Sequence, residues 1–154
     1  MNAKARRLEI NLMTLGTGVI LFGVWSFIKL ALTFLIYKED FGVIGSDENM
    51  AIAMIFIWAL FVLAFLIYFY IGKSARSEGK GKHKTIFYLI VTGAVILLGV
   101  ASIVLEVIAV IPTPELYFST GVSLIIDATS LVILIEVMIN AISLRKLRKK
   151  EATA

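Results

Sequence analysis

Four ionisable side chains stand inside otherwise apolar stretches of the chain: Lys29, Glu106, Asp127 and Glu136. A charge in hydrocarbon is costly, so such groups are the first candidates for ion pairing, proton uptake or cation binding. Glu136 precedes Arg145 by nine residues, which at about 1.5 Å per helical residue is roughly 14 Å. That is near the middle of a hydrocarbon core about 30 Å thick. Helical spacing puts Thr129, Glu136, Asn140 and Ser143 on one face. Two readings of this face stay open. Glu136 is either a protonatable or cation-binding carboxylate, or a neutral carboxyl hydrogen-bonded to Asn140 or to a neighbouring helix.

The other three charges lie farther from the basic residues. Lys29 is 22 residues beyond Arg7, and Glu106 is 22 residues beyond Lys84. Both fall at roughly 33 Å, near the far interface. Their matching height predicts an ion pair between Lys29 and Glu106, against the alternative that each reaches separately for water. Asp127 shares a face with Ser123, opposite to that of Glu136. A helix polar on two faces belongs in the centre of a bundle or at an interface between subunits.

Little else in the chain can do chemistry. Its only histidine, His83, sits among lysines, and there is no cysteine. That excludes disulfides and thiolate metal sites. No Ser/His/Asp set, metal-ligand cluster or activated lysine stands out, so a non-enzyme with no metal and no cofactor is expected. The glycines of "LGTGVILFG" lack the spacing of a dinucleotide-binding loop.

The elements that must carry these residues are long and apolar. Hydrophobic residues make up 60% of the 154 and charged residues 17%, against about 45–50% and about 25% in a soluble domain. Four apolar runs, Ile10 to Tyr37, Met50 to Ile71, Ile86 to Ile111 and Leu116 to Leu144, each exceed the roughly 20 residues that cross a bilayer as a helix. None alternates in polarity as a membrane β-strand would. The expected fold is an all-α membrane protein, a single four-transmembrane-helix bundle with helices at about 8–37, 47–72, 84–111 and 114–147. Ser46 or Asp47 reads as the cap of the second helix, and Thr113, Pro114 and Glu115 as the start of the fourth. "RSEGKGKHK" reads as a flexible hinge.

Charge orients the bundle. Thirteen of the 15 lysines and arginines fall before the first helix, between the second and third, or after the fourth. By the positive-inside rule both termini and the middle loop are cytoplasmic, and the stretches around 38–49 and 112–115 face the other side. The basic segments also offer charge to anionic lipid headgroups, although orientation alone accounts for them. Nucleic acid is not an expected partner.

"VILFGVWS" at 19–26 and "VILLGVAS" at 95–102 match at six of eight positions. Either the chain is two repeated helical hairpins, or apolar helices simply share residue types. Gly18, Phe22, Ser26 and Lys29 on the first helix, and Thr92, Gly99, Ser102 and Glu106 on the third, form small-residue stripes suited to helix packing.

The functional expectation is a small non-enzymatic interaction protein of a bacterial cytoplasmic membrane. It would act as an accessory, regulatory or protective subunit, with the lipid bilayer, other membrane helices or a second copy as partners. The alternative is a small oligomeric transporter or channel that uses Glu136.

Overall fold

The structure is a computed structural model, and it describes residues 3–36, 47–82, 85–110 and 117–153. Four helices fill these stretches: α1 (Ala3–Ile36), α2 (Asp47–Gly79), α3 (Phe87–Val110) and α4 (Tyr117–Thr153). All four are long and apolar enough to cross a membrane, as befits a multi-pass membrane protein. Lipid tails are as apolar as leucine, so burial of apolar area does not hold such helices together. Close packing and bonds between polar groups do.

Close packing is most developed between α1 and α2. A Cβ added at Gly16 would lie 2.7 Å from the carbonyl oxygen of Gly72, and one at Gly72 would lie 2.5 Å from that of Gly16. A Cβ at Gly79 would meet the carbonyl oxygen of Glu9 at 2.7 Å, and one at Gly23 the Cβ of Tyr68 at 2.7 Å. Seven residues separate Gly16 from Gly23 and Gly72 from Gly79. Two helical turns therefore return each glycine to the same face, and the two backbones run in contact for much of their length. Farther along, Phe27 of α1 packs against Trp58 and Phe65 of α2, with ring centroids 6.4 and 5.7 Å apart.

α4 closes the bundle against the other side of α1 and against α3, whereas α2 and α3 touch only lightly. The buried core is concentrated toward the end that holds the chain's basic residues: Leu12, Val19, Ile71, Ala75, Tyr88, Val137 and Leu144 are all at most 1% exposed. Toward the opposite end the helices leave a cavity of about 330 Å³ between α2, α3 and α4, with Tyr68, Ser102, Asp127 and Ser130 in its wall.

Two expectations change. Three of the helices extend beyond their apolar runs: α1 starts at Ala3, α2 spans Asp47–Gly79 and α4 continues to Thr153, while α3 stays within its run. The "RSEG" stretch is not a hinge but the last turn of α2, which runs to Gly79 rather than to about residue 72. It closes with Gly81 at φ +86°, the N–H of Gly81 bonding the carbonyl of Glu78 at 3.0 Å and that of Lys82 the carbonyl of Ser77 at 3.2 Å. This is a Schellman end, which needs a residue without Cβ strain at that position. At their shared glycine the matching segments of α1 and α3 are packed differently. Gly23 is pressed against Tyr68, while Gly99, its counterpart in α3, leaves 3.4 Å between an added Cβ and the Leu131 side chain. The caps expected at Ser46 and Thr113, the stretches 38–46 and 112–115, and His83 lie outside the described residues.

Candidate functional site

α4 carries the polar groups of the bundle, and they fall into three sites along its length. The first joins all four helices at the basic end. Glu78 of α2 is 1% exposed. Arg145 of α4 donates from Nε to Glu78 Oε1 at 2.5 Å and from a terminal nitrogen to Oε2 at 2.9 Å. That is a two-pronged contact in which guanidinium and carboxylate match in shape as well as charge. The Tyr88 hydroxyl of α3 donates to the same carboxylate, and the Arg145 guanidinium carbon stands 5.6 Å from the centre of the Tyr88 ring. Arg148 bonds Glu9 Oε1 of α1 at 2.9 Å and the backbone oxygen of Glu78 at 3.2 Å. Thr92, fully buried one turn above Tyr88, donates to the Tyr88 carbonyl at 2.7 Å.

Sequence reasoning missed Glu78 and Tyr88. Glu78 sits in a stretch rich in charge and glycine, and hydropathy alone ends the helix before it. The available signal was spacing: Gly72, Ala75 and Gly79 continue the packing stripe of α2 through that stretch.

The second site is at the opposite end. Lys29 of α1 donates to the Ser123 hydroxyl of α4 and lies 3.9 Å from Asp127 Oδ2. The Lys29–Glu106 pair expected from matching heights does not form. Lys29 instead faces α4, on which Ser123 and Asp127 lie at a similar level, and Glu106 belongs to α3. Lys29 and Asp127 keep 39% and 40% of their side-chain exposure, so this is a loose, partly solvated pair.

The third site is the face predicted around Glu136, and its direction is unexpected. Glu136 and Thr129 are exposed on the side of the bundle, and Asn140 and Ser143 are half-buried. The Asn140 side chain does not bond the Glu136 carboxyl. It donates to the Glu136 backbone oxygen at 2.8 Å, and Thr129 donates to its own Ile125 carbonyl at 2.7 Å. Two exposed residues of α1, Asn11 and Thr14, stand beside them. Together with Leu15 and Ile139, these residues line a recess of about 530 Å³ that opens outward along the α1–α4 seam. The position of α1 was not legible beforehand: periodicity shows which residues share a face but not which neighbour that face meets.

Among the described residues, no three histidine, aspartate or glutamate side chains converge as a metal ion would require. The outward site presents one carboxyl, two amides and a hydroxyl, all of them hydrogen-bonding groups. No family model, no curated protein and no solved structure matches the chain.

Proposed function

We propose that this chain is a non-enzymatic interaction subunit of a bacterial cytoplasmic membrane, and that the outward polar face of the α1–α4 seam is its working surface. The observation that carries this reading is the exposure of Glu136 beside Asn11, Thr14 and Asn140. Within one bundle, polar groups in an apolar medium turn inward, because each unsatisfied group there costs several kcal/mol. A cluster that turns outward is explained by a second surface that covers it. In this reading both termini and the α2–α3 connection face the cytoplasm, as the distribution of basic residues requires. Glu78, Arg145 and Arg148 hold the four helices so that the seam keeps its shape.

The alternative function, a small oligomeric transporter or channel, draws on the same recess. There the Glu136 carboxyl would take up and release a proton or cation between subunits. Two substitutions separate the readings, each scored for assembly in membrane extracts and for ion flux in vesicles. Glu136→Gln keeps the size and hydrogen-bonding capacity of the side chain but cannot carry a charge. For an interaction subunit it leaves assembly and function largely intact, whereas Glu136→Leu weakens assembly. Loss of a flux by Glu136→Gln, with assembly unchanged, would instead establish transport.

A further inference from the structure

The recess at Glu136 has a chemical character and a geometry that narrow its occupant. Its amides, Asn11 and Asn140, each offer an N–H donor and a carbonyl acceptor, and Glu136 adds a carboxyl. Among the described residues, no Lys or Arg lines this recess. The carboxyl of Glu136 can therefore be met only by hydroxyl and amide donors of the kind this same set carries, and a second copy supplies them.

The heights of these groups allow that pairing. α1 and α4 run antiparallel, with Glu9 beside Arg148 and Gly18 beside Ile133. In this register Asn140 is level with the segment between Asn11 and Thr14, and Glu136 lies within one turn of Thr14, a separation of about 5 Å. A two-fold axis along the bundle keeps every group at its own height and both copies in the same membrane orientation. Such an axis brings α1 of one copy onto α4 of the other, which is the self-complementary contact of a symmetric dimer. The seam above the recess continues as an apolar groove of about 480 Å³, lined by Leu21, Phe22, Trp25, Ile28 and Ile126 among others. One continuous face thus supplies polar bonds at one end and apolar packing at the other.

We infer that the outward face of the α1–α4 seam is the interface between two copies of this chain, with Glu136 and Asn140 of each copy against Thr14 and Asn11 of the other. This rests on the reading of that face as an interaction surface.

The natural absence of cysteine makes the test direct. Two differently tagged full-length copies, one Thr14→Cys and the other Asn140→Cys, are co-expressed, and their membranes are oxidised. A disulfide-linked pair of the two tags is expected. None is expected when both copies carry Leu98→Cys or both carry Leu105→Cys, two positions exposed on α3 away from the seam. Equal cross-linking at the α3 positions, or none at the seam, overturns the inference. In lipid nanodiscs, Glu136→Leu should weaken the dimer roughly three- to twentyfold, the range for a hydrogen bond between membrane helices, and Glu136→Gln should weaken it less than threefold. A lipid-dissolved maleimide applied to native membranes distinguishes the two failures. Seam cysteines that do not cross-link but react slowly mean that a different protein covers the face, so the dimer fails and the interaction reading stands. Seam cysteines that react as fast as Leu98→Cys mean that nothing covers it, and both fail.

Discussion

Glu78 and Glu136 are both carboxylates on long apolar helices, yet their surroundings are opposite. Glu78 is closed in by Arg145 and Tyr88, and Arg148 connects its backbone to Glu9, so every helix contributes a side chain to the cluster. Glu136 points out of the bundle, and only its backbone oxygen receives a side-chain bond. Without a hydrophobic force between helices in lipid, polar contacts carry much of the information about which surfaces meet. Turned inward, as at Glu78, they specify how the four helices fit. Turned outward, as at Glu136, they specify in the proposed reading what the bundle can join.

The largest expected effect breaks the inward site. Removing one member of a buried ion pair leaves the other charged and unpaired, at a cost of about 3–5 kcal/mol. Glu78→Leu or Arg145→Met should each destabilise the isolated chain by that order in unfolding experiments in detergent. The double variant should lose less than the sum of the two. Additive losses would show that Glu78 and Arg145 do not act as a pair.

Next comes the glycine contact that brings α1 and α2 together. Gly72→Ala places a Cβ 2.5 Å from the Gly16 carbonyl oxygen, and such overpacking costs typically about 1–3 kcal/mol. The same change at Gly99 meets only ordinary contact with Leu131, and alanine's better helix propensity should offset it, so that stability is unchanged or rises by up to about 1 kcal/mol. Thermal unfolding of the two variants side by side checks the asymmetry between the hairpins. Equal losses would mean that α3 is packed as tightly as α1.

A smaller effect belongs to the far end. Lys29→Met and Asp127→Asn should show a coupling of at most about 1 kcal/mol in a double-mutant cycle, as befits a half-exposed pair. The cycle of Lys29→Met with Glu106→Gln should be additive. Coupling in the second cycle but not in the first would restore the pairing expected from height alone. Orientation, which changes no stability, is checked by labelling intact cells. A membrane-impermeant thiol reagent should reach Gly45→Cys and not Lys82→Cys. Lys82 is exposed and suits this purpose, whereas a side chain at Gly79 would collide with α1.

These contrasts also show what could be read from residues alone. Four apolar runs were enough to establish four helices, because length and hydropathy are properties of each segment by itself. Height along the bundle was legible too, since it follows from counting residues: Asp127 precedes Arg145 by 18 residues, roughly 27 Å, which is close to the level of Lys29 and Glu106. The direction in which each helix turns was not legible. Lys29 had two acids within reach of its height, and only the placement of α4 beside α1 chose Asp127. The same placement turned Glu136 outward, with Asn140 bonded to its backbone oxygen and not to its carboxyl. Glu78 escaped for a different reason. Hydropathy falls off before it, and a charged, glycine-containing stretch resembles a loop until its arginine and tyrosine partners on two other helices are seen.

The contrast between the two carboxylates is tested most directly by one variant measured in two ways. Glu136→Leu is extracted from membranes in mild detergent, its assembly size is compared with that of the unaltered chain, and the unfolding of the isolated subunit is then followed. An outward interaction site predicts a smaller assembly and an unfolding free energy within about 0.5 kcal/mol of the original, as for a surface position. An unaltered assembly with a stability loss like that of Glu78→Leu would place Glu136 among the groups that hold the bundle together, and would contradict the account.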